Sequence, residues 1–313
     1  MVSRLLRAQG CFLGQLCGDA LGSMVELRSP ESILSSYPEG IRDMRDGGSW
    51  NTLAGQPTDD SEMAIALARS LVEHKTFDHE EIRRSYIYWL ESGPFDIGNT
   101  IYAGLSGRIN HQSQANGALM RVSPLGIFGS TKDLRLVADW AKQDAAITHP
   151  HPICLQSNML FTMSIAYAIS EGTNPSTLYA QVMRWTNEIY CDEVLIQAIE
   201  DARTSAPLTY GPKKGWVLVA LHNAYWQMLH ARNFEEAIVD TVMRGGDTDT
   251  NAAICGALLG AVYGLNAIPQ RWKDTVTNCR PNKTDPKVKR WRPQFFWPTD
   301  ALDLAAQLLG SQA

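Results

Sequence analysis

Glycine stands at every fourth position of one largely apolar stretch, at Gly10, Gly14, Gly18 and Gly22, and again at Gly256, Gly260 and Gly264. Residues four apart share one face of a helix, so each stretch predicts a helix with one ridge bare of side chains. Glycine costs a helix roughly 1 kcal/mol per position relative to alanine, and a row of them needs a reason. Close helix–helix approach is the natural one. Residues 3–23 and the helix after Asp249 are expected to pack together at the centre of the domain, with the ends of both near one site. Glycines that merely mark loops are the alternative, and the apolar residues between them weigh against it.

Two acidic segments open apolar helices. The first is Thr58-Asp59-Asp60-Ser61-Glu62, ahead of the apolar run Met63–Leu71; the second is Gly245-Gly246-Asp247-Thr248-Asp249-Thr250, ahead of the second glycine helix. Each alone reads as an N-cap, since Asp and Thr cap helices routinely. Both also gather hard oxygen ligands of the kind that hold Mg²⁺ or Mn²⁺. Adjacent side chains on a helix diverge by about 100°, so Asp59 and Asp60 cannot grip one ion in the same way; they suit two ions, or one orients the other's water. A helix N-terminus also repels cations, so the carboxylates must stand between the helix ends and any metal. Two segments of the same grammar, far apart in sequence, point to one shared two-metal centre. Glu26, between Val25 and Leu27 just past the first glycine helix, is either part of that site or a solvated loop residue.

Bulk properties narrow the class. A 313-residue chain that is 44% hydrophobic and 19% charged can bury a sizeable core. Its net charge of −5 argues against nucleic-acid binding, which needs a basic surface. Cys11, Cys17, Cys154, Cys191, Cys255 and Cys279 form no CxxC pair and sit mostly in apolar runs. They read as buried free thiols in a reducing compartment rather than as disulfides or a zinc site. The start, Met1–Arg7, has a basic beginning but no pure apolar core after it, and reads as mature protein. The uncharged run Thr250 to Gln270 is a marginal membrane span, and a buried core helix suits it better. A cytoplasmic protein with no membrane partner is expected.

Along the rest of the chain, residues 24–57 read as an ordered loop region rich in Pro, Gly and Ser. Residues 78–107 hold two helical patterns around a turn with Asp96, Asn99 and Thr100, which either cap the next helix or face a ligand. In Gln114–Gly126 the Asn116-Gly117 pair permits positive φ, and backbone N–H groups of such a turn cradle phosphate. His149 and His151, held apart by Pro150, offer a substrate hydrogen bond or a surface loop, and lack further zinc ligands. Residues 153–172, 174–189, 191–206, 216–231 and 234–244 carry apolar residues at three- and four-residue spacing. The basic, Pro-rich segment Cys279–Trp297 reads as a solvated loop, and 299–310 as a last docking helix. No convincing alternating strand appears, so one mostly α-helical domain over 1–313 is expected.

Taken together, Gly18-Asp19-Ala20-Leu21-Gly22 with Glu26, Thr58–Ser61, Asp96–Thr100, Asn116–Arg121 and Gly245–Thr250 resemble the motifs of the ADP-ribosylglycohydrolase family, in the family's order and across nearly the whole chain. The resemblance implies an all-α fold with two Mg²⁺ or Mn²⁺ ions in a central dimetal cleft. It implies metal ligands Thr58, Asp59, Asp60, Asp247, Asp249 and Thr250, and catalytic roles for Glu26 and for Asp59 or Asp60. It puts Asn116, Gly117, Ala118, Met120 and Ser123 in a phosphate-cradling segment, Asn99, Thr100 and His149 along the ADP-ribose cleft, and Trp216 against the adenine. Ser61, Ala115 and Pro57 depart from the family's usual residues, which bears on loop shape and substrate choice rather than on the metal ligands.

The activity implied is removal of ADP-ribose from a modified side chain, arginine first, with an ADP-ribosylated protein as substrate and a cognate ADP-ribosyltransferase as a further partner. Two rivals stand beside it. An ADP-ribose-binding or toxin-neutralising immunity protein would act by contact. A Mg²⁺-diphosphate enzyme of isoprenoid type would need an aromatic-lined cavity and a second acidic motif within a helix.

Overall fold

The computed structural model describes residues 2–310. They form fifteen α-helices: α1 Arg4–Gly22, α2 Pro30–Ser36, α3 Asp59–His74, α4 His79–Glu91, α5 Asn99–Leu105, α6 Ser123–Phe128, α7 Leu134–Ala146 and α8 Pro152–Glu171, then α9 Pro175–Glu188, α10 Glu193–Asp201, α11 Val217–His230, α12 Phe234–Met243, α13 Thr248–Tyr263, α14 Gln270–Thr277 and α15 Ala301–Gly310. Among the described residues there is no strand, only the isolated bridges Gly47–Thr52 and Ala115–Trp216. The all-α expectation holds.

The centre is the pair α1 and α13, and their seam is built from the glycines. A Cβ on Gly10 would lie 2.5 Å from the carbonyl oxygen of Gly260; one on Gly14, 2.4 Å from that of Gly256; one on Gly18, 2.1 Å from that of Ala252; and one on Gly22, 2.4 Å from that of Thr248. Position rises on one helix as it falls on the other, so the two run antiparallel. This places the C-terminal end of α1, and Glu26 just beyond it, against the N-terminal end of α13 with Asp247 and Asp249. From Thr248 to Val262 every residue of α13 is buried, which is why that apolar stretch belongs to a core and not to a bilayer. Among the described residues the one helix long and apolar enough to cross a membrane, α8, has 72% of its apolar window buried inside the protein.

Two expectations are corrected. Residues 24–57 are not all loop, because α2 forms there, capped by the Ser29 side chain with Pro30 at its start. Nor is the basic tail wholly solvated. Arg292 is 3% exposed and makes a two-pronged ion pair with the equally buried Glu62, at 2.7 and 2.8 Å, while also donating to Ser92. Glu62 is therefore no mere first-turn charge on α3. All six cysteines are free, and all but Cys191 are buried.

Candidate active site

α3 begins with an N-terminus capped from another helix. The Thr58 side chain makes no cap bond of its own. Instead, Asp19 on α1, fully buried, accepts from the N–H groups of Thr58 and Ser61 at 3.1 Å each. Asp19 thus caps α3 in trans and fixes it to the central seam. The Thr58 hydroxyl lies 2.9 Å from Asp19 Oδ1 and 3.0 Å from Asp60 Oδ2, with one proton to serve either. Gln15, a turn earlier on α1, donates to the backbone carbonyls of Asp60 and Met120 and so ties the start of α3 to the segment after Asn116.

Freed from capping, the α3 carboxylates face a cleft of about 220 Å³. Asp59 accepts from the Gly98 N–H at 3.3 Å. Asp60 keeps Oδ1 buried with no hydrogen-bond partner. Across the cleft Asp247, also without a cap bond, accepts from Asn116 Nδ2 at 2.7 Å. Carboxylate oxygens of Glu26, Asp247 and Asp249 lie within 4.8 Å of one another. Glu26 is held by the indole N–H of Trp50.

The cleft is lined by Glu26, Asp59, Asp60, Asn99, Thr100, Asn116, Gly117, Met120, His149, Asp247, Asp249 and Thr250, all expected from sequence. Asp96, Lys214 and Gly215 line it too. Asp96 was legible as a turn residue and as part of the Asp96–Thr100 motif, with no role of its own assigned. Lys214 had no signal. It arrives because the Asn116 N–H donates to Gly215 and the Val217 N–H to Gln114, stitching the 213–217 segment to the cleft wall.

Four expected residues do not line the cleft. Thr58 lies beneath Asp60, 0% exposed. Ala118 is buried, and Ser123 turns the other way to donate to Gln15. Trp216 donates from its indole to Gln114 at 2.8 Å and lines a neighbouring groove with Leu208 and Tyr210. A Cβ on Gly215 would lie 3.5 Å from Asp247, and the turn in which the Trp216 N–H donates to Lys213 O carries the Trp216 ring to the other side. The Asn116 turn also works differently from expectation. Gly117 does not have positive φ. It is glycine because a Cβ would come within 2.9 Å of Ile101 and 3.1 Å of His149. The Leu119 and Met120 N–H groups are used within the turn, donating to Asn116 O.

The electrostatics are strained by design of the packing. Burial first, then mutual repulsion, raises the carboxyls of Asp59, Asp60 and Asp249 well above their usual range. Burial likewise raises Glu26 and Asp247, pushes Asp19 up to about 6 despite four hydrogen bonds, and pushes Asp96 up to about 7 with help from Glu26. Lys214 offsets this at Asp247. An all-oxygen donor set with an orphaned buried oxygen and too little positive charge suits hard divalent cations.

A stability prediction follows. A carboxyl whose folded pKa is raised contributes stability that is fully present below its unfolded value, about 4, and lost as pH rises through the folded one. The chain in EDTA should therefore melt at progressively lower temperature as pH rises through about 6–7, the range of Asp19 and Asp96. Mn²⁺ should restore the melting temperature, by more at high pH than at low. Melting curves with EDTA and with Mn²⁺ across this range check it; a metal-free curve that rises with pH contradicts it.

A family model described as ADP-ribosylglycohydrolase matches residues 1–310. The chain is 32% identical to the ADP-ribosyl-[dinitrogen reductase] glycohydrolase of Rhodospirillum rubrum over 91% of this chain and 92% of that protein. It is 27% identical to the ADP-ribosylarginine hydrolase Tri1 of Pseudomonas putida, over 86% and 74%, and 23% identical to the ADP-ribosylhydrolase ARH3 of Bos taurus, over 86% and 88%. A solved structure of an ADP-ribosylglycohydrolase-related protein complex superposes with a TM-score of 0.81 at 26% identity, covering 100% of both chains. The chain belongs to the ADP-ribosylglycohydrolase family and is an enzyme of the glycohydrolase type.

Proposed function

We propose that this glycohydrolase cleaves the bond between ribose C1″ of ADP-ribose and a modified protein side chain, arginine in the first instance, and that it does so with two Mg²⁺ or Mn²⁺ ions. The observation that carries the metal reading is the meeting of the two acidic segments: Asp59 and Asp60 from α3 and Asp247 and Asp249 at the start of α13 open on one cleft, with Glu26 beside the latter pair. Asp59, Asp60, Asp247, Asp249 and Thr250 would hold the ions, with Thr58 supporting Asp60 from below. Bound divalent ions supply concentrated positive charge that acidifies water and offsets carboxylate repulsion.

The chain's own groups do the rest. Glu26, half-buried and raised in pKa, suits proton exchange nearer neutrality than an ordinary glutamate. As a water oxygen bonds to C1″ and the C1″–N bond breaks, Glu26 takes the water's proton and returns it to the departing guanidine nitrogen. Asp59 or Asp60 is the second candidate for that exchange. The surrounding carboxylates stabilise the positive charge that develops on the ribose ring. Asn116 orients Asp247, and Lys214 places a cation at the cleft where an anionic diphosphate can meet it. The lining contains no Phe, Tyr or Trp, which disfavours an isoprenoid-type site.

The linkage is tested by offering arginine- and serine-ADP-ribosylated proteins in parallel with Mg²⁺ and measuring free ADP-ribose. Release from the arginine conjugate is the expected result. Release from the serine conjugate alone overturns the arginine assignment, and release from neither overturns the proposed substrate class.

A further inference from the structure

Behind the cleft lies a buried polar chain that the reaction above does not use. Arg121, 0% exposed, donates through Nε to Asp144 Oδ2 at 3.2 Å and through a terminal nitrogen to the Asp144 carbonyl at 2.9 Å. Tyr86 donates to the other Asp144 oxygen at 2.6 Å, and the guanidinium lies over the Tyr86 ring, 4.3 Å from its centroid. The remaining terminal nitrogen donates to Thr148 Oγ1 at 3.0 Å. Thr148 Oγ1 is in turn 2.8 Å from His149 Nδ1. The far nitrogen, His149 Nε2, is buried with no hydrogen-bond partner, on a side chain that lines the cleft and is 1% exposed.

We propose that Arg121, acting through Thr148, is a positioning residue that holds His149 as the neutral Nε2–H tautomer, so that the cleft presents a fixed N–H donor to an acceptor oxygen of the bound ligand. A guanidinium carries donors only and does not lose its proton. Its N–H directs the Thr148 oxygen toward itself and the hydroxyl hydrogen away, and His149 Nδ1 is the neighbour that accepts it. The opposite arrangement, Nδ1–H donating to Thr148, would leave the threonine hydrogen without this acceptor in a fully buried site, which costs about 1–3 kcal/mol. Burial and the Arg121 charge push the His149 imidazole down to about 3, so the ring is uncharged at neutral pH. A buried donor with no partner in the protein is paired by what binds beside it. Its contact with a ligand oxygen rests on the ADP-ribose reading; the tautomer does not.

The test is nitrogen NMR of histidine-labelled, EDTA-treated protein at neutral pH, with His149 signals assigned by their loss in His149→Gln. The expected spectrum has the proton on Nε2. Thr148→Val, which keeps the shape and removes the hydroxyl, should leave Nδ1 without its hydrogen bond and move its resonance toward that of an unbonded acceptor nitrogen, and Thr148→Ser should restore the bonded position. Added ADP-ribose should move the Nε2–H signal, with binding roughly tenfold weaker in Thr148→Val, the scale of one hydrogen bond to a charged group. A proton on Nδ1 or an imidazolium in the unaltered protein overturns the proposal, as does an Nδ1 resonance unchanged in Thr148→Val. The unaltered spectrum decides this even if Thr148→Val fails to fold. An Nδ1 resonance that depends on Thr148 beside an Nε2–H signal that ignores ADP-ribose upholds the positioning role and contradicts the proposed substrate instead.

Discussion

Asp60→Asn should lose turnover by roughly 10²- to 10³-fold or more, since even the loss of an outer partner of a metal ligand costs about 10–100-fold. The same variant should be more stable than the parent when both are stripped of metal. The two effects have one cause. Asp60 is buried, raised far above its ordinary pKa by desolvation and then by Asp19 and Asp247, and keeps one oxygen without a partner. Asparagine has nearly the same shape and can still accept from Thr58, but it does not carry the charge that resists burial. A residue that destabilises the empty fold and is needed for the reaction is the expected mark of a site kept at the expense of stability. Melting in EDTA and turnover in Mg²⁺, measured on the same preparations, check both halves. Lower melting temperature together with lost turnover would instead make Asp60 a structural residue.

The second large effect concerns the seam. A Cβ on Gly260 would fall 1.9 Å from the carbonyl oxygen of Gly10 and 2.3 Å from its carbon. Neither atom is the free end of a side chain, so α1 and α13 must separate along their length. Ordinary overpacking costs about 1–3 kcal/mol, and a clash with backbone belongs at or above the top of that range. Gly260→Ala should therefore lower the melting temperature by roughly 5–10 °C. It should also weaken turnover although residue 260 lies far from the cleft, because the seam is what holds Glu26 against Asp247 and Asp249. Gly310→Ala, where a Cβ meets nothing within 4 Å, should be silent in both assays. Equal effects at the two glycines would mean that helix propensity, not the seam, sets the outcome.

That seam was the most legible part of the chain. Spacing of four is a one-dimensional signal for a helix face, and two such faces of complementary depth left little choice of partner. The two acidic segments were legible for a related reason: each sits where its helix begins, so bringing the helices together brings the carboxylates together. What sequence spacing does not carry is which side chain turns toward which neighbour. Asp19 was visible in a motif, yet its role as the cap of α3 depends on a contact across 39 positions. Arg292 looked like one more charge in a basic tail, and the buried Glu62, with Ser92, draws it inward. Lys214 enters the cleft and Trp216 leaves it through a single backbone bridge at Ala115. Gly117 was expected for its conformational freedom and is needed for lack of space. The start of α2 was readable and overlooked, since Ser29 and Pro30 are an N-cap followed by a first-turn proline.

The central claim is that the cleft made by α1, α3 and α13 is a divalent-metal site that releases ADP-ribose. It is tested most directly by following ADP-ribose release from an arginine-ADP-ribosylated protein with EDTA-stripped enzyme as Mn²⁺ is added back, with Asp60→Asn alongside. Release that is absent in EDTA, returns with Mn²⁺ and does not return in Asp60→Asn is the predicted result. Full release by the stripped enzyme, or by Asp60→Asn, would contradict it.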